Sequence, residues 1–127
     1  MVRTKDSRPP MAVGHVSLRV RNVAASATFF DRLGLRPVFR GSDIAIFELR
    51  GGTHLLLFPT RAAVKKDRAA PFDLMVDDIV AARRSLERKG LGPTPLDRGR
   101  IHDSFVLREP SGWRITVNST HASGRPV

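Results

Sequence analysis

Residues 14–37 (GHVSLRVRNVAASATFFDRLGLRP) and 70–93 (APFDLMVDDIVAARRSLERKGLGP) align without a gap, 56 residues apart. Seven of the 24 positions are identical: Leu18/Leu74, Val20/Val76, Ala25/Ala81, Arg32/Arg88, Gly34/Gly90, Leu35/Leu91 and Pro37/Pro93. The continuation repeats too. DIAIFELRGG at 43–52 matches DSFVLREPSG at 103–112, and an apolar run follows each, THLLLF or WRITVN. Such a chain must build one supersecondary unit twice, because the same apolar periodicity selects the same local structure.

Each copy reads as strand, helix, then three strands. His15–Val20 and Phe72–Val76 are the opening strands. Asn22 and Asp78 follow as N-caps, whose side chains accept from free N–H groups one turn in. Helices are predicted over 23–33 and 79–89. Gly34 and Gly90 fall where a left-handed residue ends a helix, with a proline three residues later. The last two strands of each copy join at Gly51-Gly52 and at Ser111-Gly112. The reading is an α+β chain of two tandem βαβββ modules in a single domain, 1–127. Module one spans about 12–58, a connector 59–70, and module two about 71–118, with loose ends at 1–11 and 119–127.

Alternation along the strands sorts the candidate site residues. Val16, Leu18 and Val20 share an apolar face, as do Leu55 and Leu57, Leu74 and Val76, and Ile115 and Val117. The opposite faces carry His15, Ser17, Arg19, His54, Asp73, Arg114, Thr116 and Asn118. If these faces line one concave surface, they form a polar ligand cavity; otherwise they are a solvated sheet back.

At 127 residues the chain can bury one core without staples, and it has no cysteine for a disulfide, a thiolate metal site or a thiol nucleophile. No apolar run approaches the roughly 20 residues of a membrane helix, and the basic start MVRTKDSRPPM lacks a signal peptide's apolar region. A cytoplasmic protein is the expectation. The net charge of +10 attracts polyanions without specifying one. The charges are scattered and no nucleic-acid-binding signature accompanies them, which argues against a nucleic-acid partner.

The paired modules, with the phrases GHVSLRV, LMVDDIVAARRSLERKG and LREPSGWRITV, resemble the vicinal oxygen chelate superfamily, over about residues 12–118. That group includes glyoxalase I, extradiol dioxygenases and bleomycin-resistance proteins. The resemblance implies an open, cup-like, eight-stranded sheet around a cavity, and a homodimer. It also implies four metal-ligand positions, which fall on His15, Leu56, Pro71 (or its neighbour Phe72) and Thr116. Only His15 has the right chemistry there. The family's turn acid is matched by Glu109, read here as structural.

Two functional readings follow. One is a small-molecule-binding protein without a cofactor, whose Arg19 and Arg114 favour an anionic or oxygen-rich ligand. Its basic body would repel cationic drugs such as bleomycin. The alternative is a metal-dependent lyase, isomerase or dioxygenase using zinc, iron or manganese on His15, His54 and His102. His15 and Asp73 are the candidate catalytic groups, with Asp73 as a base or as an arginine's partner. His121 is read as tail, Trp113 as packing beside the last hairpin, and Arg83, Arg84, Arg88 and Lys89 as a solvated helix face.

Overall fold

The repeated phrase folds alike in both copies. A computed structural model describes residues 5–120 of the chain. Module one consists of β1 (His15–Val20), α1 (Val23–Leu33), β2 (Arg36–Arg40), β3 (Ala45–Glu48) and β4 (His54–Pro59). Module two consists of β5 (Leu74–Val76), α2 (Ile79–Arg88), β6 (Asp97–Arg98), β7 (Asp103–Arg108) and β8 (Arg114–Ser119). Asn22 Oδ1 accepts from Ala25 N and Asp78 Oδ1 from Ala81 N, both at 3.0 Å. Gly34 closes α1 at φ 112°, a conformation that costs a side-chain-bearing residue more than it costs glycine.

The strands form two four-stranded sheets, ordered β1-β4-β3-β2 and β5-β8-β7-β6. The hydrogen-bonded ladders thus run within modules. The outer β1–β4 and β5–β8 pairs are parallel and the rest antiparallel. Registers correspond: Leu18 opposes Leu57 as Leu74 opposes Val117, and Ala45 opposes Leu57 as Phe105 opposes Val117. The repeat offset is 56 residues through Pro37/Pro93 and 60 from Asp43/Asp103 onward, so the extra length of module two lies around the short β6.

β5 is shorter than expected. Phe72 and Asp73 precede it, in a stretch where the register with β8 shifts: Ala69 pairs with Arg114 but Leu74 with Val117, five steps along one chain segment against three along the other. The chain still runs beside β8, through a bridge between Ala69 and Arg114. α2 ends at Arg88, with Lys89 as its cap.

The apolar faces make one core across both modules. Phe30, Phe47, Phe105, Leu57, Leu107 and Ile115 are fully buried within it. At about 1.5–3 kcal/mol for each such side chain, this burial dominates the favourable side of folding. Ser26 and Glu109 are the buried polar exceptions, and they meet: Ser26 Oγ donates to Glu109 Oε2 at 2.8 Å. Trp113 is buried beside them, its indole N–H donating to Arg19 O at 2.8 Å. The last hairpin of module two is thereby fastened to β1 and α1. Elsewhere, Arg32 donates to Lys89 O while Lys89 Nζ donates to Arg32 O, so each helix ends on the other's basic side chain.

The basic helix face is a correction in part. Arg84, Arg88 and Lys89 are exposed, but Arg83 is half-buried. Its guanidinium donates to Thr94 O at 2.7 Å and Pro93 O at 3.3 Å, tying down the loop after α2. Residues 1–4 and 121–127 lie outside the described range, and His121 with them.

Candidate functional site

The polar strand faces form two separate groups, one per sheet. On the first sheet, His15 and His54 are register partners whose ring centres lie 6.2 Å apart. Glu48, the partner of His54 on β3, brings Oε1 to 3.8 Å from His54 Nε2 and pairs with Arg36 at 2.8 Å. Farther along, Ser17 opposes Leu56, and the Arg19 guanidinium lies over the Phe58 ring, 5.2 Å from its centre.

The second sheet carries a pocket of about 600 Å³, where Asp73, His102, Arg114, Thr116 and Asn118 converge and the chain at 69–72 supplies a wall. Asp73 accepts from Asn118 Nδ2 at 3.1 Å. That answers its expected arginine pairing with a different partner and fixes the amide's orientation. His102 Nδ1 lies 3.0 Å from Ser119 O. A carbonyl only accepts, so Nδ1 carries the proton and Nε2 is the acceptor in the neutral ring. Gly99 N donates to His102 O at 2.9 Å, and a side chain at Gly99 would collide with that oxygen. A glycine turn therefore sets where His102 stands.

Arg114 faces one acid, Asp67, at 3.8 Å, while Arg108 holds the same carboxylate at 2.7 Å. At 3.8 Å the Arg114 contact is beyond hydrogen-bond range. Its planar fork is thus still suited to a carboxylate or phosphate.

Of the eight residues read from strand alternation, the pocket gathers Asp73, Arg114, Thr116 and Asn118, and adds His102. His15, Ser17, Arg19 and His54 lie on the other sheet. The proposed histidine trio is divided the same way, and among the described residues no group of three or more His, Asp or Glu side chains is placed to hold a metal ion. The inherited ligand positions divide likewise: His15 and Leu56 on the first sheet, Pro71 and Thr116 at the pocket. Leucine and proline side chains offer no donor and threonine a poor one, so this donor set does not fit a resident divalent ion.

Three contributors were not read from sequence. Glu48 sits on a strand facing His54, Asp67 orders the arginines, and Ala69 and Ala70, at the end of the connector, form part of the pocket wall. The lone acid in the basic stretch VKKDR was the available signal for Asp67.

The sequence profile of the Glyoxalase/Bleomycin resistance protein/Dioxygenase superfamily matches residues 12–117. Among solved structures, a lactoylglutathione lyase from Agrobacterium tumefaciens superposes with a TM-score of 0.73 at 23% identity, covering 92% of this chain and 99% of that one. A glyoxalase/bleomycin resistance protein/dioxygenase from Alicyclobacillus acidocaldarius gives 0.72 at 19%, covering 90% and 95%. The bleomycin-binding protein of Streptomyces verticillus, complexed with copper(II)-bleomycin, gives 0.70 at 21%, covering 90% and 100%. No curated protein sequence matches the chain. Likeness at this identity shows the fold, and the profile match across both modules shows the family: the chain belongs to the Glyoxalase/Bleomycin resistance protein/Dioxygenase superfamily.

Proposed function

We propose that this chain binds a small anionic or oxygen-rich molecule on the polar face of its second sheet, without a metal. One observation carries the reading: Arg114 stands in a pocket of about 600 Å³ beside Thr116, Asn118 and His102, which supplies hydrogen-bonding groups of both kinds. The volume suits a small metabolite. Arg114 would anchor the anion, and Asn118 and Thr116 would orient it. The Streptomyces protein's ligand is a poor guide here, because a net charge of +10 repels cations.

A second reading keeps His15 and His54, adjacent on β1 and β4 with Glu48 nearby, as the remnant of a metal-dependent lyase, isomerase or dioxygenase centre. For either reading, a homodimer is the expected assembly. Val38 and Phe39 on the edge strand β2 are more than half exposed, as an interface would use them.

The test is a thermal-shift screen of small carboxylates and phosphate esters, with and without a chelator, on the native chain and on Arg114→Ala. Stabilisation untouched by the chelator and lost in Arg114→Ala is the expected result. Near-stoichiometric metal by mass spectrometry, lost in His15→Ala, would instead establish the second reading.

A further inference from the structure

The two modules repeat their backbone but not their side chains, and the difference leaves one seat filled and its counterpart open. In module two the hairpin turn runs Glu109-Pro110-Ser111-Gly112-Trp113, with Glu109 N donating to Trp113 O at 3.0 Å and Gly112 N to Glu109 O at 2.9 Å. In module one Leu49-Arg50-Gly51-Gly52-Thr53 makes the same pair, Leu49 N to Thr53 O at 2.8 Å and Gly52 N to Leu49 O at 3.2 Å. The module-two turn buries an indole and a carboxyl group against module one, where Trp113 Nε1 donates to Arg19 O on β1 and Ser26 on α1 donates to Glu109; Phe29 of α1 is buried as well. At the corresponding places the module-one turn presents Thr53 and Leu49 to α2, whose matching residues are Ala82 and Ser85. Every one of the four substitutions removes bulk or polarity.

The result is a groove of about 900 Å³ between the modules, lined by Leu49, Thr53, Met75, Ala82, Ser85 and Leu86 among others. Two cations line it that the filled seat lacks: Arg50 in place of Pro110, and Lys89 in place of Leu33. Arg50 is paired with Asp77 at 3.1 Å, and Lys89 donates to a carbonyl. The two acids on the lining are engaged elsewhere, Glu48 with Arg36 and Asp73 with Asn118.

We infer that this groove is a second small-molecule site, for an aryl carboxylate. The filled seat defines the missing chemistry: a flat two-ring aromatic body and an acid group. The groove has apolar walls for the first and cations for the second. Its volume lies within the usual range for small-ligand pockets. It lies between the β3–β4 turn and α2; its lining meets that of the Arg114 pocket at Phe72 and Asp73 but includes neither Arg114 nor Thr116, so binding at the two places is told apart by which residues respond.

The probe is 2-naphthoate, with 2-naphthalenemethanol as the neutral analogue of the same shape. Backbone amide shifts on the native chain should move at Thr53, Met75 and Ser85, with the alcohol binding at least about fivefold more weakly. Thr53→Trp and Ser85→Phe each restore a group found in the filled seat, and each should weaken naphthoate binding by about tenfold or more. No binding at about 1 mM naphthoate, shifts centred on Arg114 and Thr116, or full affinity in both folded variants would overturn the inference. So would light scattering in which the filled variants lose a dimer that the native chain forms, because the groove would then hold a second copy.

Discussion

Glu109 puts a carboxyl group where water does not reach, and three donors converge on it: Ser26 Oγ at 2.8 Å, Ser111 N at 2.6 Å and Trp113 N at 3.4 Å. Removing an acceptor from buried donors costs about 1–3 kcal/mol for each donor left unmet. Glu109→Ala should therefore lower unfolding free energy by about 3 kcal/mol in urea titration, and Glu109→Gln by clearly less, since the amide keeps one oxygen. Equal losses would show that packing, not hydrogen bonding, fixes this corner. At the other end of the exposure scale, hydrogen bonds from Arg8 hold the Asp6 carboxyl down at about 2, against an ordinary 3.8. A depressed folded value means the pairing is complete above pH 3.8 and is lost as the pH falls through about 2. Carboxyl NMR should show that low midpoint and its return toward 3.8 in Arg8→Ala. Glu109 was legible as a turn acid through the family resemblance that EPSG helps to carry. Its buried partner Ser26 was not, because 83 residues separate them and no local pattern spans that distance.

The helices show what local pattern does disclose. Asn22 and Asp78 were legible as caps because the chemistry of an N-cap is confined to three residues, and both side chains accept where expected. Asp78→Ala should cost about 1 kcal/mol in thermal or urea unfolding; no change would mean that water replaces the cap at no cost. The strand faces were equally legible, since alternation is a property of one strand. How the faces meet was not. Asp73 and Thr116 share a pocket while His15 and His54 lie on the other sheet, because the ladders close within each module and the periodicity within a strand carries no information about which sheets pair. Arg83 was misread for a related reason. A basic residue on a polar helix face looks solvated until a loop places the carbonyls of Pro93 and Thr94 beside it.

Over the whole molecule, charge and core act in opposite directions. A net charge of +10 on 127 residues repels itself, and the ion pairs that offset it are mostly exposed and so individually weak. Raising sodium chloride from low concentration to about 0.2 M should therefore raise Tm, because screening relieves repulsion between many like charges more than it weakens a few surface pairs. A fall in Tm would mean the pairs matter more than the excess. The crossed contacts at the helix ends, Arg32 onto Lys89 O and Lys89 onto Arg32 O, have a consequence for inheritance. Each half of the duplication depends on a basic residue encoded in the other half. A hybrid gene joining module one of this chain to module two of a relative would lose both helix-end contacts unless the incoming half brought its own match for Lys89. Recombination at the connector is thus constrained by a contact far from the crossover point.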